Sequence, residues 1–160
     1  MVERDGISWR VAERRDLEAI VRMLADDPVA SVREQFSDPL PVGYVEAFEA
    51  IVADDNNELM VMVQGSEVIG TLQLTYMPSL TYQGGWRAQI EGVRIEKGWR
   101  GQGLGKVLFG WAIERARERG MRWVQLTTNK KRDEARRFYE QLGFEASHEG
   151  MKLDLEGKQL

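Results

Sequence analysis

The chain has 160 residues, 42% of them hydrophobic and 30% charged, with a formal net charge of −4. That mixture suits one globular domain over 1–160 and excludes collagen, coiled coil and wholly disordered chain. The acidic balance argues against duplex nucleic acid as the main partner, no apolar run is long enough to span a bilayer, and the lack of cysteine rules out disulfides and a thiol nucleophile.

His148 is the sole histidine, so with no cysteine a structural zinc site has too few ligands and no metal is expected. The first ten residues show no apolar signal-like stretch, which sets a cytoplasmic location and no membrane partner as expectations.

In chain order, Ile7 to Val11 reads as a short strand. Leu17, Ile20, Val21 and Leu24 recur at helical spacing, which predicts a helix over about 14–26, stopped by Asp26-Asp27-Pro28. Residues 31–41 read as loop, and Tyr44, Val45, Phe48, Ile51 and Val52 mark a second helix, closed by the turn-like run 54–57. The continuous apolar run Leu59–Val63 predicts a buried strand. After a turn at Gly65-Ser66, alternation through Val68, Leu72, Leu74 and Tyr76 predicts its hairpin partner. A turn-rich loop spans 78–85 and a further strand 87–95.

A glycine-rich turn at 98–105 precedes a helix carrying Leu104, Val107, Leu108, Trp111, Ala112 and Ala116 on one face. Basic residues load its last turn and Gly120 suits its C-terminal cap. Val124, Leu126 and Thr128 form a strand face, and Ala135, Phe138, Tyr139 and Leu142 a last helix face, ended by Gly143. Residues 144–155 read as a final strand or hairpin, and 156–160 as a tail.

Arg100-Gly101-Gln102-Gly103-Leu104-Gly105 sits between a strand and a helix. There, backbone N–H groups lack intrahelical acceptors, the helix dipole adds positive charge, and glycines permit left-handed backbone and close approach of a ligand. A phosphate-bearing ligand is the natural guest; a plain tight turn is the competing reading. The spacing fits neither a P-loop, which needs Gly-Lys-Ser/Thr, nor a dinucleotide-binding fingerprint.

Arg100-x-x-Gly103-x-Gly105 resembles the Q/R-x-x-G-x-G/A signature of the GNAT acetyltransferases, and Val93-Arg94-Ile95 stands ahead of it as the apolar-x-apolar strand end does in that family. A second segment, Ala135-x-x-Phe138-Tyr139-Glu140-x-x-Gly143-Phe144, resembles the family's A-x-x-F/L-Y-E-x-x-G-F run. The resemblance follows the chain from about Ile7 to Phe144 and is specific from about Ile90 onward. It implies an α/β fold of α+β type: a mixed, mostly antiparallel sheet flanked by helices and splayed where acetyl-CoA enters. It also implies pyrophosphate binding by Gln102, Gly103, Leu104, Gly105 and Lys106, a loop shaped by Arg100 and Gly101, and pantetheine held by the backbones of Val93 and Ile95.

By the same resemblance, Tyr139 is the general acid toward the departing thiolate, a role its chemistry permits because phenol and thiol titrate within about two units. One departure from the pattern is Arg132, which stands where many members have asparagine. Lys130, Lys131, Arg132, Arg136 and Arg137 form a basic cluster that is either a solvated face or, at Arg132 or Arg136, a contact for CoA phosphates.

Glu91 is the candidate base on the strand entering the loop. Gln89 holds the position some members give to a glutamate, and Gly92 is placed for a bulge that would alter the facing. Tyr82, Trp86 and Arg87 are the expected acceptor-binding residues, with Tyr44 and Phe48 as a second wall.

The expected activity is direct acetyl transfer from acetyl-CoA to a primary amine of a small molecule. Acetylation of a protein amine and a non-catalytic acyl-CoA-binding module are the alternatives, and a homodimer is among the expected assemblies.

Overall fold

The computed structural model describes residues 6–27, 34–130 and 132–156. Lys131, the proposed stop at Pro28, the start of the 31–41 loop and the tail beyond 156 lie outside them. The chain divides into two compact units, Met1–Gln125 and Leu126–Leu160.

The strands run in the order β1 (Ile7–Val11), β2 (Asn57–Gln64), β3 (Glu67–Met77), β4 (Arg87–Ile95) and β5 (Trp123–Leu126), all in the first unit but for Leu126 at the end of β5. The first four pair antiparallel. The Arg122 N–H donates to the Trp86 carbonyl at 2.8 Å and Gln125 bonds Gln89 across the strands. β5 therefore runs along the first half of β4 in the same direction.

β2 is buried on both faces, as its unbroken apolar run predicts: Val61 and Met62 have no exposed surface. Leu59, Val61 and Val63 pack with α1 (Leu17–Ala25) and α2 (Val42–Ala53) through Ile20, Val21 and Phe48. On the opposite face Met62 and Ile69 pack with Leu104 of α4 (Leu104–Glu118). Trp9 stacks on Trp111 there, 5.9 Å between ring centres. α1, α2 and α4 form because their apolar stripes have a sheet face to cover, which propensity alone would not secure.

α1 starts where a short 3-10 turn, Arg14–Asp16, is closed by Asp16. The Asp16 carboxylate is buried and accepts from the Glu13 N–H at 2.7 Å and from Arg10 at 2.5 and 2.8 Å. Burial alone would raise this carboxyl, but those donors outweigh it and hold the acid below the usual carboxylate range.

The loop 78–85 contains one turn, α3 (Thr81–Gly84), wound left-handed through Tyr82 (φ 53°), Gln83 (φ 62°) and Gly84 (φ 77°). In the second unit, α5 (Asp133–Gln141) is present as expected, with Ala135, Phe138, Tyr139 and Leu142 sharing a half-buried face.

Two expectations need correction. β5 stops at Leu126, so Thr128 is outside it. Residues 144–155 form no strand or hairpin: they carry no ladder, and Met151, Leu153 and Leu155 alternate but stay exposed. Alternation marks a strand only where a neighbouring strand supplies hydrogen bonds and an apolar face to cover.

Candidate functional site

The loop between β4 and α4 is built by its own residues. The Glu96 carboxylate accepts from the Gly98 N–H at 2.6 Å, and the Trp99 N–H donates to the Glu96 carbonyl at 2.9 Å, closing a 3-10 turn over Lys97–Trp99. Gly101 (φ 75°) and Gly103 (φ 77°) then take left-handed backbone that a side chain would strain. Leu104 is 2% exposed and anchors the first turn of α4 in the core.

The N–H groups of Lys106 and Val107 reach back to the Gly103 carbonyl at 3.1 and 3.4 Å. Those of Leu104 and Gly105 have no acceptor among the described residues. With the helix dipole behind them they form an anion-binding corner.

Arg100 turns away from this corner. Its Nε donates to the Ile95 carbonyl at 3.0 Å, and its Nη2 pairs with Asp26 at 2.8 Å. Beside it Arg94 pairs with Asp27 at 3.1 Å, both largely buried. The end of α1 is thus clamped to the end of β4 and to the loop. The family resemblance implied that Arg100 shapes the loop, and the sequence reading missed both aspartates, whose only local signal was a helix stop.

β4 carries the expected bulge. Thr71 pairs with Arg94 and Gln73 with Glu91, so Leu72 opposes both Gly92 and Val93. Gly92 has φ 62° and is exposed. β5 has only four residues, so the edge of Val93–Ile95 away from β3 carries no strand among the described residues. Its backbone is available to an extended ligand.

The facing follows from the register. Glu91 stands opposite Gln73, Gln89 opposite Thr75, and Thr75 opposite Asn57, all on the face that α1 and α2 cover further along. These groups form a neutral row. Asn57 Oδ1 accepts from Gln73 at 3.0 Å and from Thr75 at 2.7 Å, and Gln89 Oε1 accepts from Gln125 at 2.7 Å. Glu91 is the exposed carboxylate at its end. Gln73, missed in the sequence because it reads as one polar step in an alternating strand, is brought directly beside Glu91.

Arg87 shares this face by alternation, and its Nε is buried without a hydrogen-bond partner among the described residues. Trp86 is 39% exposed. Tyr82 meets Trp123 edge-on at 4.8 Å and is held by Arg122, whose guanidinium lies over both rings and donates to the Tyr82 carbonyl at 3.0 Å. On α2, the Tyr44 hydroxyl donates to Glu34 at 2.9 Å and accepts from the Gln35 N–H at 3.0 Å. Burial, with Glu34 adding to it, raises this phenol.

In the second unit, Tyr139 stands edge-on between Phe138 and Phe144, and its carbonyl accepts from the Leu142 and Phe144 N–H groups, each at 3.0 Å. Arg136 pairs with Glu140 one turn on, at 3.0 Å. Arg132 lies just before α5 and accepts the Arg136 N–H through its carbonyl.

Among the described residues no group of three or more His, Cys, Asp or Glu side chains could hold a metal, and no helix is long and apolar enough to cross a membrane.

The aminoalkylphosphonate N-acetyltransferase of Salmonella typhimurium is 33% identical over 64% of this chain and 66% of its own length. The glucosamine 6-phosphate N-acetyltransferase of Trypanosoma brucei brucei is 36% identical over 55% of this chain and 58% of its own. The match thus spans somewhat less than two thirds of either relative. The solved structure of a transcriptional regulator from Bacillus halodurans C-125 is 56% identical, with a TM-score of 0.90 over 93% of this chain and 99% of that one. Residues 24–144, which contain the bulged strand, the glycine loop and α5, match the acetyltransferase (GNAT) family, and the chain belongs to that family.

Proposed function

We propose that this protein is an acetyl-CoA-dependent N-acetyltransferase acting on a primary amine of a small molecule. The observation that carries the reading is the juxtaposition of the anion-binding corner at Gly103–Gly105 with the open backbone edge of Val93–Ile95. One suits a pyrophosphate, the other an extended amide-bearing arm. Gln102, Gly103, Leu104, Gly105 and Lys106 hold the pyrophosphate, Gly101 and Arg100 keep the loop in shape, and Val93 and Ile95 bind pantetheine through their backbones.

In the reaction, the neutral amine nitrogen attacks the thioester carbonyl carbon. An N–C bond forms, the C–S bond breaks, and the electron pair leaves on sulfur. The amine's surplus proton passes to Glu91, directly or through water, and the thiolate takes a proton from Tyr139, assigned on its sequence signature. Holding both substrates together removes much of the entropic barrier.

The names of the two N-acetyltransferase relatives support an acceptor that joins an amine to a phosphorus-containing anion. Arg87, whose Nε has no partner among the described residues and which lies on the face of Glu91, is the group suited to that anion. Tyr82 and Trp86 form the outer wall. Arg132 and Arg136 are the second-unit cations proposed for CoA phosphates.

A second reading is favoured by the 56% identity to the protein described as a transcriptional regulator: an acyl-CoA-binding sensor without turnover. Calorimetric titration with acetyl-CoA, with ATP and NAD as controls, tests the shared premise. Thiol release in the presence of 2-aminoethylphosphonate or glucosamine 6-phosphate separates the two readings. Selective CoA binding with turnover supports the enzyme, selective binding alone supports the sensor, and no CoA binding by folded protein overturns both.

A further inference from the structure

α1, α2 and the sheet line a pocket of about 150 Å3 that opens to solvent beside the exposed Ala47. Its walls are mostly carbon: Ile20 and Leu24 from α1, Phe48 and Ile51 from α2, and Leu59 from β2. The polar side chains in its lining are those of Tyr44, Thr71 and Gln73, and Gly92 contributes backbone. The Thr71 hydroxyl is already spent on the Met60 carbonyl at 2.9 Å, and Gln73 Nε2 on Asn57. A predominantly apolar pocket of this size admits a small apolar guest.

The presence of Gly92 in the lining fixes what that guest is. Gly92 is the bulged residue of β4, one residue before the Val93–Ile95 edge. A Cβ built at Gly92 meets nothing within 4 Å, so space is open there. Resting on the assignment of that edge to the pantetheine arm, the thioester at the end of the arm lies at the bulge. A chain continuing from the acyl carbonyl then runs into the cavity. We infer that this site takes acyl groups longer than acetyl, linear or branched and with about four to six carbons, from the corresponding acyl-CoA.

The expectation is quantitative. Each methylene moved from water into an apolar site raises affinity about fourfold, so butyryl-CoA binds about fifteenfold more tightly than acetyl-CoA. The test is calorimetric titration of the whole chain, without acceptor, with CoA, acetyl-CoA and butyryl-CoA. A gain of tenfold or more from acetyl to butyryl supports the inference. Equal or weaker butyryl-CoA binding overturns it and leaves the acetyltransferase reading intact.

Failure of all three compounds to bind removes that reading and this inference with it. A second variant locates the site. Ala47 lines the cavity from an exposed position on α2, so Ala47→Trp blocks it without burying a misfit in the core. The butyryl-to-acetyl affinity ratio then falls to about one. A ratio unchanged by Ala47→Trp places the acyl chain elsewhere and overturns the assignment.

Discussion

Replacing Gly92 by alanine isolates one physical effect at the centre of the site. The new Cβ has nothing within 4 Å, so no clash arises, while φ at 62° is a conformation that side chains resist. The cost is then backbone strain, about 1–2 kcal/mol for a left-handed L-residue. The strand has one escape, which is to lose the bulge and slip by one residue. A slip would turn Ala88 and Ile90, 0% and 3% exposed, out of the core, and exposing the isoleucine alone costs about 2–3 kcal/mol. Strain is cheaper than the slip, so the bulge holds.

For a chain of this length, about 1.5 kcal/mol corresponds to a Tm drop of roughly 3–6 °C. Asparagine tolerates left-handed backbone better than alanine, and valine worse. Thermal unfolding followed by circular dichroism therefore ranks Gly92 above Asn, Asn above Ala and Ala above Val. On the proposed placement of the thioester at the bulge, kcat/KM for the acyl-CoA follows the same order. If all three variants melt together, or if alanine costs nothing, the argument from φ is wrong.

Tyr139→Phe lowers kcat by about a hundredfold with little change in acetyl-CoA affinity, read by steady-state thiol release; an unchanged rate removes the acid role. Glu91→Gln alters the pH–rate profile, and a profile identical to the parent excludes it as the base. Asp16→Asn costs about 2 kcal/mol, because it breaks a buried pair whose arginine is 30% exposed. Since the folded-state acid is held below the usual carboxylate range, its stabilisation is full above about pH 4 and is lost as pH falls through the lowered value. Urea melts from pH 7 to pH 3 then show the two proteins converging at the acid end. Gln83→Gly relieves a left-handed residue in α3 and raises Tm by about 1–2 °C, with the gain in strain partly offset by glycine's unfolded-state freedom. A fall in Tm would contradict the strain reading.

Much of this was legible from the chain alone, because it is written in short-range pattern. The stripe Leu17, Ile20, Val21 and Leu24 and the unbroken run Leu59–Val63 named their elements, since period and length are local properties. The glycine loop was legible for a stronger reason. Gly101 and Gly103 take left-handed backbone, and a residue type that permits it announces itself. The same holds for Gly92, where the glycine foretold the bulge. The pattern at 144–155 misled, because alternation is local while a strand's partner is not.

Tertiary structure decided what depends on register and on meetings between distant residues. That Glu91 stands beside Gln73, and Gln89 beside Thr75, is set by a bulge that shifts pairing by one residue; no composition of either strand contains it. That Arg100 is held by Asp26, and Arg94 by Asp27, joins residues far apart in sequence whose charges alone look like solvated surface. The apolar cavity is the clearest case. Its apolar lining from α1 and β2 was predicted as helix stripe and buried strand, and only the packing of α1 and α2 on the sheet left a space at Gly92. A sequence specifies which side chains avoid water; the volume they fail to fill is fixed by the distance between the elements that carry them.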